Sequence, residues 1–157
     1  MSETLTNATR TEPETRAIVV EEVLPHPAEK IWRVLTQSEF LQQWLMPNDF
    51  QLVAGQRFQF RTQPMGDWDG VVHCQVLEIL PLRRLRYSWV GGSDNNQEYG
   101  SRLNSTVTWT LTPVPEGTRV RMEHDGFGPQ NEFAFKMMSP GWGHVLARIS
   151  TVAGQVV

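Results

Sequence analysis

The hydrophobic period changes near the middle of the chain, and this change limits the folds that the chain can adopt. Between residues 57 and 124, polar and apolar side chains alternate in five runs separated by short turn sequences. The runs are 57–61, 70–80, 85–89, 106–112 and 118–124. A period of two is typical of antiparallel strands with one wet face and one buried face. The five runs therefore predict an uninterrupted antiparallel meander.

Helical patterns and one further strand precede the meander. Ala17–Leu24 is an apolar run with two glutamates in its second half, which predicts a strand buried mainly on one face. Pro27 suits the first position of a helix, and apolar residues three and four apart predict a short helix over 27–35. Ser38 is a suitable cap for a second short helix over 39–45.

A long amphipathic helix is predicted after the meander. Trp142, Leu146, Ile149 and Ala153 fall on one stripe at helical spacing. Ser139 followed by Pro140 forms a cap and first-turn pair, so the helix is predicted to start there, after a turn or kinked segment over 131–138. The order of elements predicts an α+β domain with its helices on one face of a curved sheet.

Composition excludes several classes of function. The 157 residues carry 14 basic and 17 acidic side chains, so the net charge of -3 argues against a dedicated nucleic-acid binder. No apolar run approaches the ~20 residues that span a bilayer. Cys74 is the single cysteine, which excludes an internal disulfide and favours the cytoplasm. We expect residues 1–15 to be a disordered tail and residues 16–157 to form one domain.

Chemical motifs are sparse. No nucleophile motif or phosphate-binding glycine loop is present, and the histidines and Cys74 lack metal-ligand spacing, so no metal or cofactor is expected. His124 continues the inward register of the last strand. It is either a polar or proton-transferring group of a cavity or a buried histidine satisfied by a backbone partner. The loop over 91–102 is long for a hairpin and is a candidate lid, with Glu98 and Tyr99 as its polar groups.

Four segments, in this order, resemble those of the START or Bet v 1-like (SRPBCC) helix-grip superfamily. Within it they are similar to the family called activator of Hsp90 ATPase homologue 1-like. The segments are Pro27–Thr36 with the downstream Trp44, Leu77–Trp89, Val107–Leu111, and Gly141–Trp142. The resemblance covers about residues 16–154. It implies a helix-grip fold, in which a curved antiparallel sheet of six or seven strands wraps a long C-terminal helix and two short helices follow the first strand. Phe50–Val53 is the candidate for a seventh strand.

The resemblance also implies a cavity between sheet and long helix. In this superfamily such cavities commonly bind lipids, sterols, polyketides or other apolar molecules. The aromatic residues at strand and helix spacing either line this cavity or pack as ordinary core. The predicted ligand-binding residues are Phe58, Phe60, Tyr87, Trp89, Trp109, Met122, His124, Trp142 and Leu146.

Three functions remain open on the sequence alone. The first is binding of a small apolar or amphipathic molecule in the cavity. The second is a protein-interaction module or a module that regulates an Hsp90-type chaperone. The third is a cyclase-like or hydratase-like enzyme in which His124 transfers a proton. The expected partners are a small apolar ligand, or a chaperone or other protein, without nucleic acid or membrane, and the chain is expected to be a monomer or a homodimer.

Overall fold

The structure of the protein is a computed structural model that describes residues 15–156. All of the predicted tail except residue 15 lies outside the described residues. Six strands, three helices and one short 3₁₀ helix are present in the described part of the chain. In order they are β1 (Arg16–Leu24), α1 (Ala28–Thr36), α2 (Ser38–Trp44), β2 (Arg57–Arg61), β3 (Val71–Leu80), β4 (Arg84–Gly91), β5 (Leu103–Val114), β6 (Gly117–Phe127), the 3₁₀ helix Pro129–Asn131, and α3 (Glu132–Ala153).

The strands form one antiparallel sheet in the order β1-β6-β5-β4-β3-β2. The meander predicted from the alternating runs is confirmed, because β2 to β6 pair in chain order. The first strand then pairs with the last. Leu85, Trp109 and Met122 lie opposite one another on three neighbouring strands, and all three are buried. Alternation therefore directs one continuous face of the sheet toward the helices.

The candidate seventh strand is not formed. Phe50–Val53 lies outside the sheet, whose described strands number six. Phe50 is nevertheless buried, because its ring packs edge-on against Phe58 with the centroids 4.8 Å apart. The segment was predicted to pair as a strand, but the structure uses it as a connection that covers the core with one aromatic side chain.

Helix α3 begins at Glu132, so the predicted start at Ser139 is wrong. Pro140 lies inside the helix, where it has no N–H to bond the carbonyl one turn earlier. Ser139 does not act as a cap, since its hydroxyl donates to the Phe135 carbonyl at 2.7 Å. Nearly all the buried residues of the helix follow Pro140, and Ala134 is the buried residue before it.

The core lies between the sheet and α3, and it is rich in aromatic rings. Trp142 of α3 packs against Trp109 of β5 with ring centroids 6.0 Å apart, and Trp109 in turn meets Trp44 of α2 at 5.5 Å. The sheet, the two short helices and the long helix form the predicted helix-grip fold. Within residues 15–156, no helix is both long and apolar enough to span a membrane.

Candidate functional site

An apolar pocket lies at the end of the sheet where two loops meet the first turns of α3. The loops are 62–70, between β2 and β3, and 92–102, between β4 and β5. The pocket has a volume of about 150 Å³, and none of the fourteen residues that line it is charged. They are Met46, Thr62, Trp68, Val72, Trp89, Gly91, Gly92, Tyr99, Gly100, Ser101, Leu103, Ala134, Met137 and Met138.

Asn96 joins the two loops that form the rim. Its side-chain amide donates to the carbonyls of Met65 at 2.7 Å and Tyr99 at 3.1 Å. Its oxygen accepts from the backbone N–H of Asp67 at 3.0 Å. This one partly exposed amide satisfies three backbone groups and so positions both loops relative to each other. The loop considered as a lid therefore lies at the pocket, with Tyr99 in the lining and Glu98 exposed.

Glycines allow the walls of the pocket to come together. Gly92 has φ +88°, and a Cβ there would lie 2.1 Å from the Ser101 carbonyl oxygen. Gly100 has φ +83°, and a Cβ there would lie 3.2 Å from the Trp68 ring. Only glycine combines the positive φ with such close approach. Trp68 consequently packs onto bare backbone, and its ring meets Tyr99 edge-on at 5.9 Å.

Ser101 is a buried polar residue in the lining of this apolar pocket. The residue is 8% exposed, and among the described residues its hydroxyl has no hydrogen-bond partner. The backbone fixes its position, since its N–H donates to the Glu98 carbonyl at 3.2 Å. Thr62 and Tyr99 are the other hydroxyl-bearing residues of the lining, and both are exposed.

His124 lies deeper, and its ring is fully satisfied by side chains. The Trp142 indole N–H donates to His124 Nδ1 at 3.0 Å, so Nδ1 is unprotonated. His124 Nε2 lies 2.8 Å from Ser105 Oγ, whose own hydroxyl donates to the Trp89 carbonyl at 2.8 Å. The ring is therefore the neutral tautomer with its proton on Nε2. Burial lowers the pKa of His124 to about 3, because the charged form would lose its hydration.

The nine residues predicted to bind a ligand are all buried, and one of them, Trp89, lines the pocket. The others fill the space between sheet and helix that the resemblance implied to be a cavity. Tyr87 shows this packing, since its hydroxyl accepts from the Trp109 indole at 3.0 Å. The remaining members of this packed set are Phe58, Phe60, Met122, His124, Trp142 and Leu146. A binding role for the nine stays a prediction, and Trp89 has the geometry for it.

Several residues of the pocket were not singled out by the sequence. Trp68 and Ser101 lie in loops, where no periodicity indicates which side chains turn inward. Met137 and Met138 lie in the part of α3 that was predicted as a turn. The sequence feature that could have pointed to this pocket is the cluster of glycines at 91, 92 and 100, but from sequence alone these glycines indicate only turns.

Similar solved structures come from several bacteria. Protein MLL2253 from Mesorhizobium loti is 38% identical, with a TM-score of 0.77 over 90% of this chain and 99% of that chain. Protein BH1534 from Bacillus halodurans is 22% identical, with a TM-score of 0.69 over 88% and 96% of the two chains. CalU16 from Micromonospora echinospora is also 22% identical, with a TM-score of 0.68 over 92% and 81%. The last two show the shared fold. A comparison with curated proteins finds no match.

The family comparison covers most of the chain. The model of the family described as activator of Hsp90 ATPase homolog 1-like protein matches residues 25–154, from the end of β1 to the end of α3. That range contains both loops of the pocket and every residue that lines it. The chain therefore belongs to the activator of Hsp90 ATPase homolog 1-like family.

Proposed function

We propose that the protein binds a small, uncharged, mainly apolar molecule in the pocket beneath Tyr99 and Met137. The observation that carries this proposal is the pocket itself, which is lined mainly by apolar side chains and contains no charged residue. Ligand sites are typically apolar concavities with a few placed polar groups. Met137 is 53% exposed and Tyr99 is 42% exposed, so these two side chains form the edge through which a ligand would enter.

The size of the pocket limits the ligand. Its volume of about 150 Å³ is comparable to that of an engineered protein cavity that binds benzene. Large lipids and sterols, which the superfamily resemblance brought into consideration, exceed this volume severalfold. The proposal is therefore restricted to molecules of about one ring.

Three methionines make the pocket adaptable. Met46 follows α2, whereas Met137 and Met138 belong to α3, and all three contribute to the lining. Unbranched thioether side chains change rotamer at low cost and fit ligands of irregular shape. We expect moderate affinities across a series of small aromatic molecules, because adaptable walls select weakly by shape.

A pocket-filling substitution tests the proposal. Ala134 lines the pocket from α3, so Ala134→Met should place a thioether inside it and abolish binding. Ala147→Met is the matched control, because Ala147 is exposed on the same helix. Toluene is a suitable probe, measured by calorimetry and by the rise of Tm with ligand concentration. Folded Ala134→Met protein that binds toluene as well as the wild type would contradict the proposal.

The geometry does not favour the enzymatic alternative. His124 is buried, both its ring nitrogens are hydrogen-bonded, and it does not contribute to the pocket lining. A proton-transferring group must reach the substrate directly or through one water. Family membership is consistent with a chaperone-regulating role as well. The concave apolar pocket favours ligand binding, since concavity and apolar lining are the features typical of small-molecule sites.

A further inference from the structure

One polar group in the apolar pocket lacks a hydrogen bond within the described chain. Ser101 Oγ is buried and has no partner there. Buried hydroxyls are nearly always paired, because a polar group that leaves water without a new partner costs free energy. The backbone of the residue is fixed, since Gly92 packs directly against its carbonyl and its N–H is bonded to Glu98. An unpaired hydroxyl on a residue that lines a pocket points to a ligand that supplies the missing partner.

The walls around Ser101 favour an aromatic ring. Trp68, Trp89 and Tyr99 contribute three aromatic side chains to a lining that also holds three methionines. Aromatic rings pack edge-on or offset against one another, and thioether sulfurs make favourable contacts with ring edges. A flat ring gains both kinds of contact, whereas a saturated ring of the same size gains only apolar burial.

The absence of charge in the lining sets the charge of the ligand. None of the fourteen lining residues is Asp, Glu, Lys, Arg or His. An ionised group in this pocket would lose its hydration without a counter-charge, which is strongly unfavourable. The polar group of the ligand is therefore neutral, to match the buried serine hydroxyl, which both donates and accepts.

We propose that the pocket binds a neutral phenol, a single aromatic ring whose hydroxyl exchanges a hydrogen bond with Ser101 Oγ. This inference rests on the proposed function and specifies the ligand class. The ring occupies the space between Trp68, Trp89 and the methionines. The phenol hydroxyl satisfies the one buried side-chain group that the described chain leaves unpaired.

Comparison of p-cresol with toluene tests the role of the hydroxyl, because the two molecules differ by one oxygen atom. In a pocket without a polar partner, toluene binds more tightly, since p-cresol must give up hydrogen bonds to water. We expect wild-type protein to prefer p-cresol by about tenfold in Kd. We expect Ser101→Ala to reverse the order, so that toluene binds more tightly than p-cresol. Calorimetric titration measures all four affinities.

Ser93→Ala is the matched control. Ser93 lies in the same loop but outside the apolar lining, so the preference for p-cresol should persist in this variant. 4-Methylcyclohexanol tests the aromatic walls, and it should bind severalfold more weakly than p-cresol. Ser101→Cys, whose thiol is a weak hydrogen-bonding group, replaces Ser101→Ala if the latter does not fold.

The outcomes separate this inference from the proposed function. If wild-type protein binds toluene but prefers it to p-cresol, the phenol assignment is overturned and the apolar pocket stands. The phenol assignment is also overturned if the Ser101→Ala variant still prefers p-cresol to toluene, or if 4-methylcyclohexanol binds as tightly as p-cresol. If neither toluene nor p-cresol binds, both proposals fail together.

Discussion

His124 is buried in its neutral form, and we expect it to make the protein less stable in acid. Its pKa is lowered to about 3 in the folded protein, from an ordinary value of 6.5. Between these two values the unfolded chain binds one proton that the folded protein does not bind. The free energy of unfolding therefore falls as the pH falls through this window, and the contribution is fully retained only well above pH 6.5.

The magnitude follows from the unfolded-state pKa. Linkage gives a loss of about 2 kcal/mol between pH 8 and pH 5, most of it below pH 6. This loss of stability depends little on the pKa of His124 in the folded protein, provided that this pKa stays well below 5. The surroundings support this condition, because the ring is enclosed by Trp89, Phe127 and Trp142 and both its nitrogens are bonded.

Urea unfolding at pH 5, 6, 7 and 8, followed by tryptophan fluorescence at constant ionic strength, measures the effect. We expect His124→Gln to be less stable than wild type at pH 8 but to lose about 2 kcal/mol less on acidification to pH 5. His144→Gln is the matched control, because His144 is exposed on α3, and it should follow the wild-type pH dependence.

Nitrogen NMR of the native protein checks the same reasoning without a variant. The His124 ring should show the tautomer protonated on Nε2, unchanged down to pH 5. A native-state titration of this ring with a midpoint above pH 5 would refute the reasoning. Equal pH dependence of wild-type and His124→Gln stability would refute it as well.

Four further predictions rest on the described packing. Gly141→Ala should stabilise the protein by about 0.5–1 kcal/mol, because the residue is helical and a Cβ there would meet nothing within 4 Å. Gly92→Ala should destabilise the protein, because φ at this position is +88° and the added Cβ would clash with the Ser101 carbonyl. Guanidinium unfolding compares the stabilities of the two glycine variants, and equal stabilities would contradict the different backbone environments described for the two positions. Trp142→Ala should lower the free energy of unfolding by about 3–5 kcal/mol, because the side chain is 3% exposed and its removal leaves a cavity. A loss of stability near zero in the same assay would argue against packing of Trp142 in the core. Burial raises the pKa of the Cys74 thiol, so the folded protein should react slowly with a disulfide reagent and show one reactive thiol only after unfolding. Immediate labelling of the native protein would contradict this.

The sheet could be predicted closely because strand periodicity is a local property of the sequence. Runs such as Arg57–Arg61 alternate polar and apolar residues, and the burial of Phe58 and Phe60 follows that alternation. The start of α3 could not be predicted in this way. A Ser-Pro pair favours a helix start, but the contacts of Ala134 and the Phe127–Phe135 ring pair stabilise two further turns before it. Tertiary packing outweighed the local signal.

The sequence by itself determined which side chains of the strands and of the last helix would be buried, because one-residue steps along a strand and 100° steps along a helix place them on known faces. It did not determine whether buried aromatic residues would enclose a cavity or fill it. Only the tertiary structure decided that Trp109 and Trp142 interlock in the centre while a pocket remains at the end of the sheet. Residues as distant in the chain as Met46, Ser101 and Met137 meet there. Their meeting depends on how loops close over the helix, and no local period encodes that geometry.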